Sequence, residues 1–453
     1  MVRWRQSLPG NAEAGIAPYP GNVTDTAPPV ASRFGILRPL RIRDFRLLWT
    51  GQTVSMIGDG IYVIALAWQV YELTNDDPGA LAIVGIAWTL PVVLLSLFAG
   101  VLADRFDRRR LLVLGDLLRL VAIGSIGVLS ILDVLTMPWV IGLAALFGVG
   151  QAIFNPSLTS IVPTIVPEDL LVEANSLAQF VRPVTYTLIG PLIGGLIIAV
   201  FGTGWAFVVD SLTFAVSAIA VTMIRTRPDP EREIPATSAW TEAKEGLTYV
   251  REERWILIAL LAATVSLLCT WGPWETLVPY IVKNDLDGSA VALSVVFGAG
   301  GLGSVMVALV FGRLGKLPRK PFTVLYLAWA LGMLMTAGFG VVTSIWQAAL
   351  VAMISEGSIT VLIIVWYTLL QRLVPSELLG RVASLDWLIS AAGVPVSFAI
   401  VGPLSGAIGV DATLIAAGIA GAAVTIAFMY VRGARDPERD GRLEVAERSP
   451  AEG

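Results

Sequence analysis

The stretch Gly100-Val101-Leu102-Ala103-Asp104-Arg105-Phe106-Asp107-Arg108-Arg109-Arg110 divides two apolar runs, residues 79–102 and 110–132. A bilayer-spanning helix takes about 20 apolar residues, and each run supplies that many. Outward from this loop the pattern recurs. Apolar runs lie at 47–72, 79–102, 110–132, 138–161, 172–200, 203–225, 255–282, 289–313, 321–342, 346–371, 378–407 and 411–432, twelve in all. A transmembrane barrel would instead show alternating segments of about 10 residues. The runs predict an all-α membrane protein with twelve transmembrane helices.

Composition agrees. Of 453 residues, 55% are apolar without counting glycine, and only 15% are charged. A soluble domain carries roughly 25% charged residues. These values exclude a disordered chain, a disulfide scaffold and an ordinary soluble enzyme. The single cysteine, Cys269, excludes an internal disulfide and any Cys-based zinc or iron–sulfur site. Histidine is absent, so no imidazole can ligate a metal or sense pH, and buried proton chemistry falls to carboxylates. No metal and no cofactor are expected.

The basic residues set the orientation. With the N-terminus in the cytoplasm, 28 of the 31 Lys and Arg fall on cytoplasmic segments. Arg119 and Arg182 lie inside spans, and only Lys283 falls outside. Both termini are therefore expected in the cytoplasm of a bacterial inner (plasma) membrane protein. Residues 1–43 lack the apolar core of a signal peptide and read as a disordered cytoplasmic arm. Residues 44–225 form a first six-helix half and 226–254 a cytoplasmic linker, helix-like from Thr241 to Trp255. Residues 255–432 form a second half, and 433–453 a disordered tail.

The halves repeat. Val166-Pro167 and Leu170-Leu171 match Val374-Pro375 and Leu378-Leu379 at an offset of 208 residues. Gly190-Pro191-Leu192 matches Gly402-Pro403-Leu404, and Gly100 matches Gly312, at 212. Two pseudo-symmetric halves suit alternating access, in which one half rocks against the other around a central site.

The Gly100–Arg110 loop closely resembles the signature of the major facilitator superfamily: a glycine, an acid four residues later, then a basic cluster. The resemblance implies a cytoplasmic latch made of Gly100, Asp104, Arg105, Arg108, Arg109 and Arg110. Asp104 would meet the start of the eleventh helix near Ser376-Glu377. Asp107 departs from the small glycine usual at its position. In the second copy Lys316 aligns with Asp104, so the latch is expected to be asymmetric. Gly190-Pro191-Leu192-Ile193-Gly194-Gly195 resembles the Gly-Pro signature that the superfamily's exporters carry in the fifth helix. Arg43-Asp44-Phe45-Arg46-Leu47-Leu48-Trp49 and Ser55-Met56-Ile57-Gly58-Asp59-Gly60 look like the exporter branch. That branch includes macrolide and tetracycline efflux proteins and the enterobactin exporter. Together these resemblances imply the major facilitator fold.

Ionisable groups at bilayer depth are costly and mark function by default. Asp59, flanked by Gly58 and Gly60, is the first candidate for proton coupling or substrate binding, followed by Glu356, Glu275 and Asp386. Arg182 needs an acid, and Asp59 is the partner expected for it. Trp271 and Trp274 beside Glu275 could hold an apolar or cationic ligand by stacking and cation–π contact. Asp116 and Arg119, three residues apart, read as a pair, and Asp210 as structural. No nucleophile–base constellation and no phosphate-binding Gly-Lys loop occurs, so an enzyme and an ATP-driven pump are not expected. The reading is a proton-coupled exporter of an amphipathic small molecule, monomeric, lipid-embedded and without nucleic-acid partners. An importer (symporter) or a lipid translocator of the same fold is the alternative.

Overall fold

The structure, a computed structural model, describes residues 35–167, 170–225, 239–314, 316–440 and Leu443; only the backbone is described at 35–36, 96–105, 172, 179–180, 239–243 and 376–377. Among the described residues, twelve helices are long and apolar enough to cross a membrane, and no strand occurs. α1 is Arg43–Thr74, α2 Pro78–Arg105, α3 Arg108–Ile131 and α4 Met137–Ile165. α5 runs through Leu171–Arg182, a π-helical stretch Pro183–Ile189 and Gly190–Phe201, and α6 is Thr203–Thr222. α7 is Arg254–Tyr280, prolonged by π-helical Ile281–Asp285; α8 is Ala290–Leu314, α9 Pro321–Phe339 and α10 Ile345–Leu373. α11 is interrupted at Gly393 into Ser376–Ala392 and Val394–Ile408, and α12 is Val410–Tyr430.

The repeat is visible in the turns. Asn75 closes α1 in the left-handed region at φ 53°, and Asp287, 212 residues on, adopts φ 47° after α7. Gly202 and Gly409 join the last two helices of each half at φ 88° and 89°. A side chain is strained at that φ, so glycine is the residue suited to both corners. The α4–α5 and α10–α11 connections also match: the Leu170 N–H donates to Pro167 O, and the Leu378 N–H to Pro375 O, each at 3.0 Å.

α1–α6 pack among themselves around Ile61, Tyr62, Phe147, Phe207 and Phe214, all buried. α7–α12 pack likewise, with Trp255 edge-on to Phe322 and Trp366 at ring distances of 5.5 and 5.8 Å. In lipid such contacts act by close packing and hydrogen bonding, because the solvent is itself apolar.

The halves meet on the face opposite the termini. There α2 packs on the second segment of α11, Val394–Ile408, far more extensively than on the first, Ser376–Ala392. Across the same face Lys283 Nζ lies 2.6 Å from Asp76 Oδ1, and its ammonium sits over the rings of Trp68 and Tyr71. The Tyr71 hydroxyl donates to the Thr276 carbonyl beside it. Lys283, the one basic residue outside the charge pattern, thus closes the seam between α1 and α7.

The segments at the chain ends are more ordered than the composition suggests. Gly35–Arg41 forms a short 3-10 helix and α1 begins at Arg43, within what reads as a disordered arm; residues 1–34 lie outside the described residues. The tail turns back at Gly433, φ 106°, and buries Ala434 and Pro437. Glu438 accepts from the Thr323 N–H at 3.0 Å and from its hydroxyl at 2.7 Å, where α9 leaves its first N–H groups free. This carboxylate holds the start of the tail against α9, and the expectation of disorder from 433 does not hold for 433–440. The linker helix, Ala239–Glu252, carries Glu245, which pairs with Arg381 of α11 at 2.5 Å.

Candidate functional site

Asp59 stands at the middle of α1 between two close contacts. A side chain on Gly60 would come within 2.5 Å of Tyr186 O and 2.9 Å of Gly190 Cα on α5, and one on Gly58 would collide with Thr213 and Asp210 on α6. The flanking glycines therefore let α1 touch both neighbours. Gly190, Pro191, Gly194 and Gly195 are the other side of this contact: Gly194 lies against Ile61, and Gly195 against Ser294 of α8. Ahead of them the Gly190 N–H donates to the Thr185 carbonyl, five residues back. Proline removes one helical bond, and the chain absorbs the defect as a π-turn, a form frequent at functional sites. That turn carries Tyr186 into the space between the halves.

Tyr186 is the common neighbour of the central charges. Glu275, Asp59, Arg182 and Glu356 all act on it electrostatically. Glu275 on α7 and Glu356 on α10 are half-buried, and the charge of Glu356 reaches Glu275 across the C-terminal half. Glu356 packs its stem against Gly300 of α8. Arg182 is exposed although it stands between the halves, with its guanidinium 5.9 Å from the Tyr186 ring and its charge reaching Tyr367 on α10. Exposure of an arginine at this depth marks a cleft between the halves, with Arg182 of α5 on one side and Tyr367 of α10 on the other. Asp386 is at its edge, accepting from the Trp366 indole at 3.1 Å.

Some expected contacts differ. Arg182 makes no ion pair with Asp59; the guanidinium with the strongest claim on Asp59 is Arg119, which the sequence pairs only with Asp116. Arg119 does bind Asp116, and both are buried between Phe154 and Phe214, 4.0 and 4.5 Å from the guanidinium carbon. Trp274 packs into the α8–α9 interface, 5.2 Å from Phe339 and 6.4 Å from Phe297, while Trp271 is partly exposed. The side chains of Gly100, Asp104, Arg105 and Glu377 lie outside the described residues. Of the remaining loop arginines, Arg109 donates to the Thr222 carbonyl at the end of α6. Asp107 caps α3 by accepting from the Arg110 N–H at 3.1 Å, which accounts for an acid at this loop position. Tyr62 and Tyr186 escape sequence reading because aromatics are common in any membrane helix.

Residues 34–444 match the family described as transmembrane secretion effector, of the major facilitator type. The chain belongs to this family. Among its relatives are macrolide efflux protein A of Streptococcus pyogenes, 23% identical over 81% of this chain and 90% of that protein, and the multidrug efflux pump Tap of Mycolicibacterium fortuitum, 28% identical over 79% and 88%. The enterobactin exporter EntS of Shigella boydii is 24% identical over 80% and 85%. The nucleoside transporter NupG superposes with a TM-score of 0.64 at 10% identity, covering 85% of this chain and 98% of NupG, which shows the fold alone. This secretion-effector chain is a multi-pass bacterial membrane transporter of the efflux type, and not an enzyme.

Proposed function

We propose that the protein exports an amphipathic, cationic small molecule in exchange for protons by alternating access. The carrying observation is the set of acids in and beside one cleft, Glu275, Glu356 and Asp59, gathered around Tyr186. Carboxylates held away from bulk water favour either a proton or an organic cation, and an aromatic ring beside them favours the cation further. Uptake of one species then favours release of the other, which is the coupling an antiporter needs. The closed seam at Lys283–Asp76 and the exposed Arg182 support a conformer open toward the face that carries the termini. The charge count of the loops makes that face cytoplasmic. The protein works as a monomer, each half supplying one wall of the cleft.

The test is efflux of a panel of lipophilic cations and macrolides from a pump-deficient host expressing the chain. Energy-dependent efflux that collapses with a protonophore is the expected result. Efflux unaffected by collapse of the proton gradient would overturn the coupling, and energised uptake of the panel compounds in place of efflux would overturn the direction.

A further inference from the structure

The first six helices contain a second group of charges, outside the cleft. Asp116 and Arg119 on α3 and Asp210 on α6 are all at most 2% exposed, and Asp59 on α1 presents its Oδ1 to the same interior. Asp59 acts on Asp210, Asp116 acts on Asp59, and Arg119 acts on both Asp59 and Asp210. The groups facing this interior are these four, together with Tyr62, half-buried Tyr186, and Arg182 at the cleft edge. Three carboxylates thus share one enclosed guanidinium.

A second observation shows that the protein side chains do not satisfy this group. Asp59 Oδ1, Asp116 Oδ2, Asp210 Oδ2, Arg119 Nε and the Tyr62 hydroxyl are all buried without a hydrogen-bond partner. Tyr62 is only 5% exposed, with its ring stacked 4.9 Å from Phe147. Buried polar groups in native proteins nearly always have partners, so each exception needs a physical reason. The Ser55 and Gln52 side-chain oxygens are also buried and unpartnered. They stand one and two turns from Asp59 on the same side of α1, toward the face that carries the termini.

We propose that Asp59, Asp116, Asp210 and Arg119 form the proton-binding site of the transporter, separate from the ligand acids Glu275 and Glu356 of the other half. This rests on the antiport reading above and assigns its proton. Arg119 neutralises one carboxylate. The remaining two face each other in a medium that tolerates neither alone, and they share a proton. When Asp59 or Asp210 accepts that proton, the carboxyl O–H becomes a donor for the other's oxygen or for the Tyr62 hydroxyl. When the proton leaves, it goes along Ser55 and Gln52. α1 carries Asp59 at the contact with α5, whose π-turn holds Tyr186 against the ligand acids. Occupancy of the proton site is thereby transmitted to the cleft through Gly60 and Gly190, and these two acids need not touch the exported molecule.

Infrared difference spectra of the purified, full-length protein between acid and alkaline pH give a direct test, because a protonated carboxyl shows a carbonyl band that a carboxylate lacks. The wild type is expected to show a titrating carboxyl band in the absence of any transported compound. The double variant E275Q/E356Q removes the contribution of the cleft acids, and a titrating band should remain in it. In that background D59N and D210N should each remove the remaining band. A band that survives D59N/D210N there would overturn the assignment, as would loss of the whole band in E275Q/E356Q alone. If D210N does not fold, D210E in the same background keeps the carboxyl and should move the titration midpoint; an unmoved midpoint overturns the proposal. A band abolished by sodium ions at constant pH would mean a cation site and also overturn it. Should the wild type show the band yet export nothing against a proton gradient, the antiport reading fails while the proton site stands.

Discussion

The two halves share their turns but not their interiors. At the offset of 212 residues fixed by Asn75 and Asp287, Asp59 corresponds to Trp271, Asp116 to Ala328 and Arg119 to Leu331. At the offset fixed by Gly202 and Gly409, Asp210 corresponds to buried Ala417. Where the first half buries ions, the second buries aromatics and hydroxyls that satisfy one another. Ser266 and Thr425 lie 3.0 Å apart, and the Ser355 hydroxyl donates to Gly332 O at 3.2 Å. Among the described residues, the unpartnered buried side-chain atoms all lie in the first half except Tyr326 Oη and Arg435 Nε. One backbone plan therefore tolerates either interior. A satisfied hydroxyl pair in an apolar bundle is a packing device. A net charge kept at membrane depth costs stability and persists where something must bind there.

Removing the shared cation breaks this comparison most severely. Arg119→Gln leaves Asp59, Asp116 and Asp210 without their buried counter-charge, and loss of one partner of a buried pair costs about 3–5 kcal/mol. We predict a large fall in the yield and detergent thermal stability of the folded protein, partly restored by adding Asp116→Asn. Thr425→Val in the other half should cost only about 1 kcal/mol, the net value of an ordinary hydrogen bond. Equal losses would mean that the two interiors do the same structural work.

The next effect concerns the seam between the halves. Lys283 and Asp76 are partly exposed, so their pair is worth up to about 1 kcal/mol. Lys283→Ala should shift the conformational equilibrium by up to a factor of about 5, RT being near 0.59 kcal/mol. Maleimide labelling of a cysteine placed at Thr276, which the seam buries, should accelerate accordingly, and the charge swap D76K/K283D should return it. Unchanged labelling in K283A would mean that the apolar contacts alone close this face.

The smallest effect is at the tail. Glu438→Gln weakens a carboxylate contact at the start of α9, and such helix-end charges are worth about 0.3–1 kcal/mol when exposed. A slight drop in thermal stability with unaltered export is expected. A loss of export at normal stability would make the tail part of the transport cycle.

The spans were legible because a bilayer demands long apolar runs, and the repeat because turns such as Pro167-Leu170 and Pro375-Leu378 recur as sequence. Asp59, Glu275 and Glu356 stood out because charge is conspicuous in such runs. Their partners did not. Arg119 reads locally as the i,i+3 mate of Asp116, and only the packing of α3 and α1 against the shared helix α6 brings it toward Asp210 and Asp59. The Asp59–Arg182 pairing failed for the same reason: Arg182 precedes a π-turn, and the register of α5 beyond it directs the guanidinium to the cleft. Lys283 was an exception to the charge pattern, and its meaning came from Asp76, 207 residues earlier in the chain.

The most direct measurement separates the halves by function. Everted membrane vesicles would be assayed with a lipophilic cation dye, ethidium, for accumulation driven by an imposed pH gradient and for exchange without one. We predict that D59N keeps exchange and loses gradient-driven accumulation, whereas E356Q loses both. If D59N still accumulates ethidium under the gradient, or if E356Q retains exchange while losing only its gradient dependence, the first half does not carry the proton.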